Sequence, residues 1–236
     1  MNFFKKKKVE RPQTKNVCTE PLTLSELDTQ IKKRIDLIQE EFTSAFNMIK
    51  CCDKTVSFFG SARALPSETD YMNSYKLGAE IAKLGYGVVT GGGPGIMEAA
   101  NKGAFENDGL SMGFTIKLPT EQATNPYLTK SLEFRYFFTR KVALTYAAEA
   151  YVYFPGGFGT LDELFEILTL VQTTKIEVVP IILFGSEFWN PLRKFIVEYQ
   201  LENHKISSSD LDLFVITDSI EEVVEIIKAA PIRSAH

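Results

Sequence analysis

Apolar residues recur every three or four positions from about residue 23 to residue 49, which predicts one long amphipathic helix. The apolar positions are Leu27, Ile31, Ile35, Ile38, Phe42, Phe46 and Ile49. A helix with such a stripe must bury it against something. The pattern alone leaves two surfaces open, the rest of this chain and a second copy of it. Residues 1–20, which precede the helix, are polar and basic, and we expect them to form a solvated tail.

After residue 54 the pattern changes to short apolar segments that alternate with helical ones. The predicted strands are 55–59, 87–90, 111–116, 150–154, 178–184 and 213–216, and the predicted helices are 71–84, 96–106, 134–148, 161–173, 188–202 and 219–228. A polar loop is predicted from 117 to about 131. This alternation is typical of a parallel sheet with helices on both faces. We therefore predict an α/β fold, a Rossmann-like doubly wound sheet with an N-terminal helical extension.

Two glycine-rich segments follow predicted strands, at the edge of the sheet where ligands bind in doubly wound folds. The segment 90–98 reads Thr-Gly-Gly-Gly-Pro-Gly-Ile-Met-Glu, and the segment 154–163 reads Phe-Pro-Gly-Gly-Phe-Gly-Thr-Leu-Asp-Glu. Glycine lets a ligand approach the backbone, and the N–H groups and dipole of the helix that follows favour phosphate. The Thr160 hydroxyl can cap that helix or bond a phosphate oxygen. Two such loops predict phosphate binding, and two tight turns without a ligand are the alternative.

Common nucleotide-binding motifs do not fit these segments. The phosphate-loop pattern GxxxxGK[ST] is absent, and GxGxxG is not matched cleanly. The predicted strand 111–116 is followed by Lys117, where a dinucleotide site would place an acid for the ribose. Neither NTPase chemistry nor dinucleotide binding is supported.

Glu163 and Arg140 are the candidate reactive residues. Glu163 is the last residue of the second glycine segment, in what the pattern predicts to be the first turn of a helix, and Arg140 and Lys141 lie on the preceding predicted helix. Cleavage of an N-glycosidic bond develops positive charge on the sugar, which a carboxylate can stabilise, and a cation can hold the phosphate or assist the departing base. The alternative is that the acids 162, 163 and 166 only complement the helix dipole.

Charge and cysteine content narrow the class of protein. The 236 residues carry a net charge of −4, so the body offers no strong attraction to nucleic acid or to an anionic membrane, and the run Lys5–Lys8 reads as a solvated tail. No segment is apolar enough to span a bilayer. Cys18, Cys51 and Cys52 form no CxxC motif, so we expect reduced thiols and a cytoplasmic protein. With His204 and His236 as the two histidines, a histidine-based triad or metal site is not expected.

The second glycine segment resembles the PGGxGTxxE signature of the Lonely guy (LOG) family, and 91–98 is similar to the family's GGGxxGxM segment. Gly60-Ser61 and Arg140-Lys141 resemble two further family motifs, and the similarity covers about residues 54–230. Members are nucleoside 5′-monophosphate phosphoribohydrolases, often labelled lysine decarboxylases, and form dimers or larger homo-oligomers. The resemblance implies an enzyme that needs no cofactor or metal.

Carried over by position, the resemblance implies that Arg140 and Glu163 are the catalytic pair. It implies that the phosphate or nucleotide is held by Gly60, Ser61, Gly91, Gly92, Gly93, Gly95, Met97, Lys141, Pro155, Gly156, Gly157, Gly159 and Thr160. Glu133 and Arg135 are expected near the cleft.

The implied substrate is an AMP-like nucleotide or a cytokinin riboside monophosphate. The stretch 136–141, Tyr-Phe-Phe-Thr-Arg-Lys, is closer to bacterial nucleotide hydrolases than to plant-like members. A non-catalytic nucleotide-binding or carrier protein of the same fold is the alternative, and pyridoxal-dependent decarboxylation is a third hypothesis. The expected domains are 1–50, a basic tail and helical extension, and 51–236, a Rossmann-like nucleotide-binding catalytic domain.

Overall fold

The computed structural model describes residues 23–52, 54–117 and 124–231. The described residues divide into two units at the boundary between Leu37 and Ile38. Helix α1 (Leu24–Ile49) runs across this boundary and begins with a reciprocal cap. The Thr23 N–H donates to Glu26 Oε2 at 2.9 Å, and the Glu26 N–H donates to Thr23 Oγ1 at 3.3 Å. These bonds satisfy backbone donors that a helix leaves free at its start.

The second unit contains a seven-stranded sheet in which every pair of neighbouring strands is parallel. The strands are β1 (Thr55–Phe59), β2 (Gly87–Thr90), β3 (Ser111–Ile116), β4 (Lys130–Phe134), β5 (Ala150–Tyr153), β6 (Ile181–Phe184) and β7 (Val215–Thr217). Their order is β4-β3-β2-β1-β5-β6-β7. The chain therefore builds outward from β1 in one direction and from β5 in the other, which confirms the predicted doubly wound α/β fold.

Helices cover both faces of this sheet. They are α2 (Thr69–Lys83), α3 (Ile96–Phe105), α4 (Phe137–Tyr146), α5 (Phe158–Gln172), α6 (Ser186–Phe195) and α7 (Ile220–Ala229), with a π-helical turn at Ile196–Leu201 and a 3₁₀ turn at Ser208–Leu213. Among the described residues, no helix is both long enough and apolar enough to cross a membrane.

The core consists of two apolar clusters, one on each face of the sheet. Alternate residues of a strand point to opposite faces, so Val152 contributes to the cluster beneath α2, α3 and α7, while Tyr151 and Tyr153 contribute to the cluster beneath α4, α5 and α6. Every residue of β1, β2, β5 and β6 is buried. Strands covered on both faces are mostly apolar, and β5 and β6 accordingly read as unbroken apolar segments.

The edge strand β4 was not predicted. The sequence pattern placed residues 117–131 in a loop and a helix from 134, but Lys130–Phe134 pairs with β3 and the helix starts at Phe137. Most of β4 is exposed and its sequence, Lys-Ser-Leu-Glu-Phe, has no apolar run. Pairing with β3, in which Met112 lies opposite Lys130 and Ile116 opposite Phe134, makes this segment a strand although its own sequence does not indicate one.

The amphipathic helix predicted from 23 to 49 is confirmed, and part of its stripe packs on the sheet unit. Ala45 is fully buried in the cluster beneath α4, and Met48 and Ile49 pack against the same cluster. The ring of Phe46 meets that of Tyr146 edge-on at 5.6 Å between centroids. The sequence left two surfaces open for this stripe, the rest of the chain and a second copy of it. The part of the stripe after residue 38 packs against the rest of the chain.

Helices α2 and α3 approach so closely that Gly103 has no room for a side chain. A Cβ atom at Gly103 would lie 2.1 Å from the Tyr75 carbonyl oxygen. Alanine normally favours a helix over glycine by about 1 kcal/mol. We expect the opposite sign for Gly103→Ala, a loss of about 1–3 kcal/mol in the free energy of unfolding, because the two backbones must separate.

Urea unfolding of the purified variants measures this loss. Gly159→Ala is the matched control, since position 159 lies in the first turn of α5 with no atom within 4 Å of an added Cβ. An equal or higher stability for Gly103→Ala would show that the helices are not in the tight contact described.

Candidate active site

The site lies where strand order reverses, at the carboxyl ends of β1 and β5. Backbone hydrogen bonds join three strand-end loops at this point. The Ser61 N–H, after β1, donates to the Pro155 carbonyl, after β5, at 3.0 Å. The Ile96 N–H, at the start of α3, donates to the Ser61 carbonyl at 3.0 Å. The sheet topology therefore brings together glycine segments that are more than 30 residues apart along the chain.

These loops surround an open cleft of about 1010 Å³. The sequence-predicted residues on its walls are Gly60, Ser61, Gly91, Gly92, Gly93, Met97, Arg140, Pro155, Gly156, Gly157, Gly159, Thr160 and Glu163. Glu133 is also on the wall, as expected, whereas Arg135 is not. One cleft thus contains both candidate reactive residues and most of the residues proposed to hold phosphate.

Gly95 and Lys141, two predicted binding residues, are not among the cleft walls. Gly95 has φ of +71°, and a Cβ atom there would lie 2.3 Å from the Ser61 carbonyl oxygen, so its role is to let two loops meet. Lys141 Nζ forms ion pairs with Asp162 at 2.9 Å and Glu166 at 3.2 Å. Burial lowers the pKa of Lys141, but its hydrogen bonds to these acids outweigh burial and leave the pKa raised. Lys141 therefore ties α4 to α5.

Helix α5 begins inside the second glycine segment, three residues before the predicted start at 161. A helix leaves its first N–H groups without partners inside the helix, so those of Phe158, Gly159 and Thr160 are available at the cleft. A Cβ atom at Gly156 would lie 2.2 Å from Thr160 Oγ1, whereas nothing lies within 4 Å of one at Gly157 or Gly159. The segment therefore combines free backbone donors with open space, which suits an anion.

Arg140 is held by backbone carbonyls. Its Nε–H donates to the Phe114 carbonyl at 2.6 Å, and Nη2 donates to the Gly91 carbonyl at 3.4 Å. A Cβ atom at Gly91 would lie 2.1 Å from Arg140 Nη2, so the guanidinium crosses directly over that glycine. Burial lowers the pKa of Arg140 from its ordinary value, and the charge of Glu163 opposes this effect. The first glycine segment thus seats the arginine as well as forming a wall.

Glu163 lies in the second turn of α5, because the helix starts earlier than predicted. The Tyr153 hydroxyl donates to its backbone carbonyl at 3.2 Å, which fixes this turn against β5. Burial raises the pKa of the Glu163 carboxyl to about 7, and the nearby Arg140 charge limits the rise. Within the described residues, no ion pair of 4.0 Å or less joins Glu163 to Arg140. The two opposite charges face one cleft as separate groups.

A buried network of polar side chains shapes the first glycine segment. Thr90 Oγ1 donates to Asn101 Oδ1 at 2.6 Å and accepts from the Gly92 N–H at 2.8 Å. Asn125 Nδ2 donates to Asn101 Oδ1 at 3.0 Å and to the Gly93 carbonyl at 3.1 Å. Sequence reasoning missed Asn101 and Asn125, since a single asparagine in a helix or loop carries no recognisable pattern.

Charged residues after β1 were also missed. Arg63, Glu68 and Asp70 line the cleft, and burial followed by the charge of Glu68 raises the pKa of Asp70. Their position after a predicted strand of the sheet could have indicated that they lie near the ligand site. Three aromatic rings complete the rim, those of Phe137, Phe158 and Phe188. In the part of the chain that the structure describes, no group of three or more His, Cys, Asp or Glu side chains is placed to hold a metal ion.

Comparison with known proteins gives concordant results. A protein of Escherichia coli (strain K12), pyrimidine/purine nucleotide 5′-monophosphate nucleosidase, is 26% identical over 180 residues, which are 70% of this chain and 39% of that protein. The chain thus spans about two fifths of the length of this relative. A cytokinin riboside 5′-monophosphate phosphoribohydrolase of Arabidopsis thaliana is 28% identical over 153 residues, which are 64% of this chain and 71% of that protein.

Solved structures share the fold. The molybdenum cofactor binding protein from the phototrophic bacterium Rippkaea orientalis superposes with a TM-score of 0.58 at 23% identity, over 75% of this chain and 96% of that chain. At this identity the likeness shows the fold alone. A family model described as possible lysine decarboxylase matches residues 97–227, more than half of the sequence. The chain therefore belongs to the possible lysine decarboxylase family, which is the Lonely guy family that its glycine motifs resemble.

Proposed function

We propose that this chain hydrolyses the N-glycosidic bond of a nucleoside 5′-monophosphate, AMP-like or a cytokinin riboside monophosphate, to a free base and ribose 5-phosphate. The observation that carries the proposal is that Arg140 and Glu163 line the same cleft as the free N-terminal turn of α5. Phosphate, sugar and base of one nucleotide can then each meet a suitable group. The names of the relatives from Escherichia coli and Arabidopsis thaliana support the same reaction.

The start of α5 is the proposed phosphate site. Its backbone N–H groups are directed along the helix axis, and the helix dipole adds partial positive charge. The buried hydroxyl of Thr160 lies in the same turn and can donate to a phosphate oxygen. Arg140 supplies a positive charge in the same cleft. Binding through the 5′-phosphate would separate nucleotides from bare nucleosides.

Glu163 is the proposed reactive carboxylate. As the bond from C1′ of the ribose to the base nitrogen breaks, positive charge develops on the sugar, and an ionised carboxylate stabilises it or takes a proton from the attacking water. Water supplies the new oxygen at C1′, and the base leaves with the bonding electrons and gains a proton. A pKa of about 7 lets Glu163 accept and return a proton near neutral pH.

The family description names a different reaction. Decarboxylation with pyridoxal phosphate uses a lysine that forms a Schiff base with the cofactor. No lysine lines the cleft in the described residues, and the nearby Lys141 is paired with two acids. Hydrolysis accounts better for the residues that the cleft does contain.

A nucleotide-binding carrier is the second candidate, because a cofactor-binding protein shares this fold. A carrier needs the glycine loops and the start of α5 but has no use for a carboxylate with a raised pKa. Substitution of Glu163 therefore distinguishes the two functions, because it should abolish base release by a hydrolase and leave ligand binding by a carrier unchanged.

We expect Glu163→Gln to lower base release from AMP on the order of 100-fold or more, because the variant can neither carry negative charge nor accept a proton. Binding of ribose 5-phosphate, measured by calorimetry, should persist, since the backbone donors remain. Chromatography of the reaction products measures the free base. The control is Glu166→Gln, an acid one turn along α5 that pairs with Lys141 outside the cleft. Equal turnover by both variants would remove Glu163 from the mechanism.

Gly157→Val tests the phosphate site. The residue has extended backbone angles, φ −94° and ψ −158°, and open space around its Cβ position, so valine fits the fold. The new side chain would occupy the space where a phosphate must approach the start of α5, and we expect ribose 5-phosphate to bind on the order of tenfold more weakly. Calorimetry measures the affinity, and thermal unfolding shows that the fold is intact. Unchanged affinity would place the phosphate elsewhere.

The raised pKa of Glu163 also predicts a change in stability with pH. Because the folded-state pKa of about 7 exceeds the ordinary 4.5, folding favours the protonated acid. That contribution is fully present below about pH 4.5 and is lost as the pH rises through about 7. The unfolding free energy of the native chain minus that of Glu163→Gln should fall by up to about 3 kcal/mol between pH 4.5 and 8. A constant difference would show that the carboxyl is not shielded.

A further inference from the structure

Helix α1 contacts the start of α4, the helix that carries Arg140, through one buried carboxylate. Glu41 is 9% exposed, although an ionised side chain loses much of its hydration when it is buried. Both of its oxygens have partners at the start of α4. Oε1 accepts from the Arg135 N–H at 2.7 Å, and Oε2 accepts from the Thr139 hydroxyl at 2.5 Å. The acid thus brackets the residues that lead into the first turn of this helix.

The geometry suits a carboxylate. Helix α4 begins at Phe137 with no side-chain cap of its own, so its first turn offers free donors and a partial positive charge. Glu41 supplies the negative charge from another helix. Short hydrogen bonds to an ionised acceptor are stronger and more directional than neutral ones. Glu41 therefore ties the residue before the N-cap of α4 and a side chain of its first turn to α1, across a sequence separation of nearly 100 residues.

Arg140 follows Thr139 directly. The Thr139 side chain is fully buried, so a shift of its hydroxyl partner must be taken up by the backbone of α4. The Arg140 guanidinium bonds two fixed carbonyls, those of Phe114 and Gly91, and these bonds tolerate little displacement of the helix. Glu41 and the two carbonyls hold opposite ends of the segment that carries the arginine.

We propose that Glu41 is a positioning residue for the reaction at this site, which it serves by setting the start of α4 and hence the position of Arg140. This inference rests on the proposed function, since it assigns Arg140 a part in nucleotide hydrolysis. The part of α1 that belongs to the second unit then helps to position the active site, although it does not line the cleft.

The first test compares Glu41→Gln with Glu40→Gln, which removes the same charge from the neighbouring exposed position of α1. In glutamine an NH2 group, which donates and does not accept, replaces one of the two oxygens, so the bond from the Arg135 N–H or the one from the Thr139 hydroxyl must be lost or reversed. We expect Glu41→Gln to lower kcat for base release from AMP by about tenfold, because small displacements of reacting groups are costly. Glu40→Gln should stay within about twofold of the native chain. Equal rates for the two variants would overturn the proposal.

Two variants distinguish positioning from general destabilisation. Thr139→Val removes the hydroxyl that Glu41 bonds. If the two residues act through this bond, Thr139→Val should lower kcat less in the Glu41→Gln variant than in the native chain. In an Arg140→Lys background, Glu41→Gln should have less effect than in the native chain, because the positioned group is gone. If Glu41→Gln lowers kcat by the same factor in the native chain, in Thr139→Val and in Arg140→Lys, then Glu41 is a purely structural residue.

Hydrogen exchange separates this inference from the proposed function. The amides of 137–141 should exchange faster in Glu41→Gln than in Glu40→Gln, with α5 unchanged, whether or not the protein releases base. No base release by the native chain, with this local change present, would refute the hydrolase function and leave the helix contact intact. Unchanged exchange at 137–141 would refute the contact itself, whatever the activity.

Discussion

The site depends on the hydrogen bonds that join Ser61 to the loops on either side of it. Through its N–H and its carbonyl, Ser61 connects the turn after β5 with the first residue of α3. A parallel sheet places the carboxyl ends of its strands along one edge, but only direct backbone contacts fix how the loops there are arranged. Gly95 makes the contact feasible, since any side chain at its Cβ would strike the Ser61 carbonyl. The cleft is the space that these contacts leave open.

The two opposite charges in the cleft, those of Arg140 and Glu163, stay apart because each side chain is held by different contacts. Backbone carbonyls hold Arg140, and the helical turn against Tyr153 holds Glu163, so neither depends on the other for its position. A direct ion pair would have satisfied both charges and lowered the pKa of the acid. Separation leaves the acid partly desolvated and the guanidinium with donors to spare. Both groups remain available to a ligand that carries phosphate at one end and a reacting sugar carbon in the middle.

Much of this arrangement could be predicted from the sequence. Unbroken apolar strands such as 150–153 and glycine segments at strand ends are local signals, and they indicated the sheet, the cleft and the helix that bears Glu163. The edge strand β4 could not be predicted, because its exposed residues need no apolar pattern. The start of α5 was placed too late, since Gly159 resembles a loop residue but lies within the helix. The ion pairs of Lys141 with two acids on α5 could not be predicted either, because residue spacing does not indicate a pairing between two helices.

The passage of Arg140 across Gly91 links two positions that are 49 residues apart in the chain. Because Arg140 Nη2 lies 2.1 Å from the place of a Cβ atom at 91, any larger residue there would displace Nη2 and with it the bond to the Gly91 carbonyl. The reverse does not hold, since loss of the arginine would leave Met97 Sδ, at 2.8 Å, as the nearest atom to an added Cβ, and a methionine side chain can move aside. Substitution at these positions is therefore ordered in evolution: a descendant that gives up the arginine becomes free to lose the glycine, but one that loses the glycine first must rebuild the cation site elsewhere.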